Sequence, residues 1–199
     1  SPLSSLHVPE TYELHDHIID EAHERDELDS DTKTVSQIIE ESLNVGTTLL
    51  ALKLGEERLF KYIQDFGFGQ KTGVTLPGES KGILRNVSSW SGVDIATISF
   101  GQGIAVTGLQ MITAINTIAN QGVHVYPRII DHITDSEFQT KRSPIIKRGS
   151  PVISKKTARN VNKVMKNVVD LGTGKSASIK GYSISGKTGT SQKIKENGV

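Results

Sequence analysis

A chain of 199 residues is long enough for one domain with a real core, or for part of a larger one. Its 23 Lys and Arg against 22 Asp and Glu leave a net charge of +1, which gives no electrostatic footprint for nucleic acid. The lack of Cys excludes disulfides and thiolate metal sites, and no run of 18 apolar residues offers a membrane span. No signal-peptide pattern, internal repeat or low-complexity stretch is visible.

Residues 1–33 are polar, with scattered charge. His15, His17 and His23 stand there among several carboxylates, and His-x-His spacing occurs in zinc sites. The other reading is an exposed loop with short extended pieces, because no second ligand cluster follows and His124 and His132 sit in unrelated contexts.

Thr34 and Gln37 form a capping box that opens a short helix with Ile38 and Ile39 on its apolar side. Val45, Leu49, Leu50, Leu52 and Leu54 continue a second helical pattern that Gly55 ends, so Ser42-x-Asn44 falls at the joint between two helices. Residues 56–66 read as a third helix with Leu59, Phe60, Ile63 and Phe66 on one face. The Gly67-Phe68-Gly69 that breaks it lacks the third glycine and the preceding strand of a dinucleotide site. Residues 74–79 read as a strand leading into a turn, followed by a loop that carries Trp90.

Residues 95–100 are a short apolar run ended by Gly101-Gln102-Gly103. Thr107 and Gln110 form a second capping box, and the following residues are apolar around much of the helix. That pattern predicts a buried central helix, with Met111 as core filler. Residues 123–148 read as strands and loops, and Lys141, Arg142, Lys147 and Arg148 read as a solvated basic face. Ser154 caps a further helix whose Val161, Val164, Met165 and Val168 share a face. Gly172-Thr173-Gly174-Lys175-Ser176 resembles the end of a phosphate loop, but it follows a helix and has Val169 where the first glycine belongs, so it reads as a helix stop.

Residues 182–185 alternate as a half-buried strand does. In an extended continuation Thr188 and Thr190 point the same way, with the Lys187 ammonium beside them, while Gly186 and Gly189 remove bulk. Two hydroxyls and a cation on a bare strand edge suit a peptide that ends in a carboxylate.

Ser42-x-Asn44 followed by Lys187-Thr188-Gly189 resembles two of the three motifs of penicillin-binding proteins and class A β-lactamases. The connecting text is similar to class B penicillin-binding proteins, the transpeptidases of cell elongation and division: Gly67-Phe68-Gly69, Leu76-Pro77-Gly78-Glu79, Ile98-Ser99-Phe100-Gly101-Gln102-Gly103, Val106-Thr107, Leu109-Gln110, Ala119-Asn120-Gln121-Gly122 and Gly172-Thr173-Gly174 occur in that family's order. The resemblance covers roughly residues 12–194.

It implies an α+β fold of the penicillin-binding/β-lactamase-like kind, an antiparallel sheet flanked by helices with a mainly helical subdomain. On that frame 1–33 is a loop-rich leading segment, 34–122 the mainly helical part with Ser42-x-Asn44, and 123–199 the sheet-associated part with Lys187-Thr188-Gly189. The implied chemistry is attack by a Ser-x-x-Lys serine on the carbonyl of a D-Ala-D-Ala stem peptide, then resolution of the acyl-enzyme by a neighbouring stem peptide. Ser42 would relay protons to the leaving amine, Asn44 would bind the substrate amide, and Lys187 would supply positive charge beside them. Thr188, Gly189 and Thr190 would bind the substrate, the two hydroxyls on its carboxylate and the Thr190 N–H in the oxyanion hole. The implied partners are peptidoglycan stem peptides, β-lactams, and a membrane glycosyltransferase with other cell-wall synthesis proteins, on the extracytoplasmic face of a bacterial inner membrane. No cofactor, metal or nucleic acid is implied.

The family's nucleophile motif has no counterpart in its expected place. The sole formal match, Ser30-x-x-Lys33, lies too close to Ser42, with no apolar helix after Ser30. Asp26, Glu27, Asp29 and Asp31 are expected to hold Lys33 protonated, with nothing apolar to desolvate it. The chain therefore reads as the middle of a transpeptidase domain, cut at both ends and inactive alone. A non-catalytic β-lactam-binding or cell-division scaffold of the same fold, and a D,D-carboxypeptidase or β-lactamase-type hydrolase, are the other readings.

Overall fold

The computed structural model describes residues 1–22, 30–142, 147 and 149–189. Near the start, β1 (Ser5–His7) pairs antiparallel with β4 (Thr32–Thr34), with Leu6 opposite Lys33. A hairpin of β2 (Thr11–Leu14) and β3 (His17–Asp20) lies between them in sequence. The segment expected to be mostly loop thus carries paired strands, and it sends Val8 and Ile19 into the core. Residues 23–29, His23 included, lie outside the described residues.

Helix α1 (Val35–Glu40) opens on the expected capping box: the Gln37 N–H donates to the Thr34 hydroxyl at 3.2 Å and the Thr34 N–H to the Gln37 side chain at 2.9 Å. Its end is a Schellman turn. The Leu43 N–H donates to the Ile38 carbonyl at 2.9 Å and the Ser42 N–H to the Ile39 carbonyl at 3.3 Å. Leu43 and Ile38 are both buried, the apolar contact that this turn favours. Ser42 takes the left-handed position, φ 61°, that glycine most often fills. Helix α2 (Asn44–Leu54) begins two residues on and stops at Gly55, φ 86°. No side chain of its own N-cap serves it; the Glu21 carboxylate accepts from the Asn44 and Val45 N–H groups instead, an acidic group where the helix dipole favours one.

The remaining elements are α3 (Glu56–Asp65), α4 (Asp94–Ser99), α5 (Gly108–Ala119), the hairpin β5 (Ile133–Thr134) and β6 (Thr140–Arg142), and α6 (Lys155–Asp170). Short 3-10 turns lie at Val87–Ser89 and Lys175–Ala177.

The chain forms two compact units. The first comprises Ser1–Leu59, Arg85–Ile104 and Asn160–Val199. Its core joins Val8, Ile19, Ile38, Leu43, Val45 and Ala96, and α2 packs on α4. Burying each of the larger aliphatic side chains contributes about 1.5–3 kcal/mol. On α6, Val164, Met165 and Val168 are buried as their spacing predicts, Val161 is only half-buried, and Val169 is buried beside them. Asp94 ion-pairs with Arg85 and accepts from the Ser91 N–H, and the Trp90 indole donates to the Arg85 carbonyl at 3.2 Å.

The second unit comprises Phe60–Leu84 and Ala105–Arg159. Helix α5 departs from the expectation of an apolar buried helix. It buries Gln110, Thr113, Ala114 and Thr117, while Met111, Ile112 and Ile115 are 45%, 59% and 41% exposed. The reason is hydrogen bonding. Gln110 donates to the Gln70 and Lys81 carbonyls at 2.7 and 2.9 Å and accepts from the Thr107 N–H at 2.8 Å. Thr113 and Thr117 return their hydroxyls to the Leu109 and Thr113 carbonyls, so they bury without an orphaned donor. Met111 is therefore surface, not core filler.

The strand expected over 74–79 does not form. The Glu79 carboxylate folds back onto the Thr72 and Gly73 N–H groups and the Thr72 hydroxyl, which closes the segment into a loop.

Candidate active site

Every described contact of the site lies within the first unit. Ser42 sits in the Schellman turn that ends α1, and the Lys187 ammonium donates to its hydroxyl at 2.8 Å. The same ammonium donates to the Thr188 carbonyl at 3.1 Å and the Thr188 hydroxyl at 3.2 Å. Three acceptors around one nitrogen match the three donors of a protonated lysine. Lys187 is exposed as a residue, and partial burial of its ammonium lowers its pKa below the ordinary lysine value.

Residues 182–189 have no strand partner among the described residues. The segment is tied instead to α6: the Gly186 N–H donates to the Met165 carbonyl at 3.1 Å and the Ser185 hydroxyl to the Asn162 carbonyl at 3.3 Å. The expected strand is thus an extended strip docked on a helix. Gly189 is described and open: a Cβ there would meet nothing within 4 Å. Thr190 lies outside the described residues.

The Asn44 side chain does not reach Lys187. It donates to the Asp20 carbonyl at 3.0 Å, so its amide is engaged with the end of β3. Ser42, Lys187 and Thr188 come together, and Asn44 stands beside them in sequence with its amide turned to another partner.

Ser30 and Lys33 do not resemble a nucleophile and its base. The Ser30 hydroxyl accepts from the Thr32 N–H at 3.1 Å on an exposed turn. Lys33 departs from expectation: it is 1% exposed, so it is desolvated after all, and it ion-pairs with Glu41 at 2.6 Å. Its place opposite Leu6 in the β1–β4 pair draws it inside.

The sequence reading missed two residues. Glu40, almost buried, accepts from the Asn167 amide at 2.7 Å and the Ser36 hydroxyl at 2.5 Å through its carboxylate. Its carbonyl accepts from the Thr173 N–H at 3.2 Å and the Thr173 hydroxyl at 3.5 Å. The Thr173 and Thr188 hydroxyls are 2.8 Å apart. The Gly-Thr-Gly run that holds Thr173 was the available signal: it reads as a helix stop and as part of the family's connecting text, with no role for Thr173 itself.

Among the described residues no group of three or more His, Asp, Glu or Cys is arranged to hold a metal. A cleft of about 420 Å³, lined by Tyr126, Arg128, Arg142 and Lys147 among others, belongs wholly to the second unit and contains none of the residues above. There Lys147 sits 4.0 Å over the Tyr126 ring and Lys141 pairs with Asp135 at 2.9 Å, so the basic stretch is partly engaged. Arg148 lies outside the described residues.

The fold is that of the transpeptidase domains of penicillin-binding proteins. The crystal structure of penicillin-binding protein 3 from Mycobacterium tuberculosis superposes with a TM-score of 0.89 at 35% identity, over 99% of this chain and 45% of that one. The same protein has been solved in complex with aztreonam and with ampicillin. Stage V sporulation protein D of Bacillus subtilis is 42% identical over 168 residues, 82% of this chain and 26% of its own length. The peptidoglycan D,D-transpeptidase FtsI of Buchnera aphidicola is 34% identical over 167 residues, 83% of this chain and 28% of its own. The family model for the penicillin-binding protein transpeptidase domain matches residues 8–199, and the chain belongs to that family. It spans about a quarter of the length of these curated relatives.

Proposed function

We propose that the chain is the part of a peptidoglycan D,D-transpeptidase that binds and relays protons for its substrate, while the attacking serine belongs to a segment outside these 199 residues. The observation that carries this reading is the contact of the Lys187 ammonium with the Ser42 hydroxyl at 2.8 Å, across 145 positions of sequence. With Ser42 accepting from Lys187, its own proton is free to pass to the amine of the departing D-Ala as the C–N bond breaks. The charge on Lys187 and the Thr188 hydroxyl favour the substrate carboxylate nearby. Asn44 would take the substrate amide after its bond to the Asp20 carbonyl opens. Gly189 would bind the substrate beside Thr188, and Thr190, outside the described residues, would supply its N–H to the oxyanion hole as the family resemblance implies. β-Lactams would be captured as mimics of the stem peptide. The full protein would work outside the cytoplasmic membrane beside a glycosyltransferase and other cell-wall enzymes.

On this reading the isolated chain is inactive, and Ser30 is not a nucleophile. The test is mass spectrometry after incubation with excess benzylpenicillin, on the isolated chain and on the full-length protein. The expected result is no adduct on the chain and one equivalent on the full protein. An adduct on Ser30 would overturn the assignment of the nucleophile elsewhere, and a full-length protein that stays unlabelled would overturn the transpeptidase reading. Release of D-Ala without cross-links would make the protein a carboxypeptidase instead.

A further inference from the structure

We propose that Thr173 is a positioning residue for carboxylate capture, a hydroxyl that holds and then re-aims the proton of Thr188. This rests on the reading of Thr188 as a carboxylate-binding residue.

Counting donors gives the direction of the network. The Lys187 ammonium spends its three N–H groups on the Ser42 hydroxyl, the Thr188 carbonyl and the Thr188 hydroxyl. The Thr188 oxygen thus already accepts once. Its 2.8 Å contact with the Thr173 hydroxyl can run either way, and in the resting order proposed the Thr188 proton goes to Thr173, whose own proton has another acceptor. Thr173 in turn has the Glu40 carbonyl at 3.5 Å for its proton. At rest the order runs from Lys187 to Thr188, to Thr173, to Glu40.

A carboxylate arriving beside Lys187 accepts the Thr188 proton. Thr188 then needs a donor rather than an acceptor at Thr173, and the Thr173 hydroxyl supplies one by rotating its proton away from Glu40. Nothing is orphaned by that rotation, because the Glu40 carbonyl keeps the Thr173 N–H at 3.2 Å. The exchange leaves the number of satisfied groups unchanged, so it adds little to the cost of binding.

The position of Thr173 is fixed from both sides. The Gly172 and Gly174 N–H groups donate to the Asn167 and Val168 carbonyls at 3.1 and 2.8 Å, which ties the loop to the end of α6. The Glu40 carboxylate holds Asn167 at 2.7 Å, which ties α6 to the end of α1 and hence to the Ser42 turn. Thr173 thus touches Thr188 on one side and Glu40, two residues before Ser42, on the other, in a position set by backbone bonds.

The experiment compares full-length wild type, Thr173→Val, Thr173→Ser and Thr188→Val. Each is reacted with benzylpenicillin and with its methyl ester, which lacks the carboxylate. The measured quantity is the acid-to-ester ratio of acylation rate constants, which does not depend on how much of each variant folds. Thr173→Val is expected to lower that ratio roughly five- to tenfold through weaker initial binding, with the acylation step itself little changed. Thr173→Ser should restore it to within about twofold, since the hydroxyl returns. A Thr173→Val ratio equal to wild type would overturn the proposal while leaving the transpeptidase reading intact. Wild type that forms no adduct with either compound would remove the reading itself, and the proposal with it.

Discussion

The Glu40 carbonyl oxygen and Gly172 are in such close contact that a Cβ on residue 172 would stand 2.2 Å from that oxygen. No side chain fits there without moving backbone, on either α1 or the loop after α6. Gly172→Ala should therefore destabilise the chain by about 1–3 kcal/mol, the usual cost of forced overpacking. It should also separate Ser42 from Lys187. Urea unfolding gives the first quantity, and the β-lactam acylation rate of the full protein gives the second. Unchanged values of both would mean that the contact constrains nothing.

Lys187 carries a pH signature. Its pKa is lowered in the folded state by burial of the ammonium, so the folded chain sheds that proton before the unfolded chain does. Between the lowered folded value and the ordinary lysine value the unfolded state binds more protons, and stability contributed by this group rises with pH. Urea melts at neutral pH and at about pH 10 should show this rise in wild type relative to Lys187→Met. Charge-dependent capture of a carboxylate should fail over the same window, because the cation is lost. Stability that falls relative to Lys187→Met would reverse the assigned sign.

Lys33 is the buried cation of the β1–β4 pair. Lys33→Ala should destabilise the chain by about 2 kcal/mol, less than the loss from breaking a fully buried pair, because Glu41 keeps 35% of its side chain in water. Thermal or urea unfolding reads it. A change within about 0.5 kcal/mol would show that the pair contributes like a surface one.

Helix α5 allows a paired test. Gln110→Ala removes the partner of two carbonyls and of the Thr107 N–H, and should cost about 2–4 kcal/mol. Ile112→Ser on the exposed side should stay within about 0.5 kcal/mol in the 199-residue chain. The opposite ranking would restore the apolar face as the buried one.

These cases show where the sequence was legible. The capping boxes at Thr34 and Thr107, the joint at Ser42 and the stop at Gly55 are written in residues at most four apart, and all four appear as expected. The approach of Ser42 and Lys187 was readable only through a family resemblance, since nothing local links positions 145 apart. The orientation of α5 was not readable, because apolar counting scores isoleucine above glutamine and cannot see that Gln110 has three partners waiting. Residues 74–79 look like a strand by composition, but the Glu79 carboxylate folds back onto the Thr72 and Gly73 N–H groups just ahead of them and closes a loop, a contact that composition does not show. Lys33 looked solvated for the same reason: its burial is decided by β1, from the far side of the ladder.

The left-handed backbone of Ser42 sets a trap for protein engineering. An L residue pays roughly 1 kcal/mol or more to stand at φ 61°, and glycine pays almost none of it. Ser42→Gly should thus raise the melting temperature while deleting the hydroxyl that Lys187 touches. A library sorted only for heat resistance would enrich that change and discard the chemistry, so the serine persists only where something selects for its oxygen.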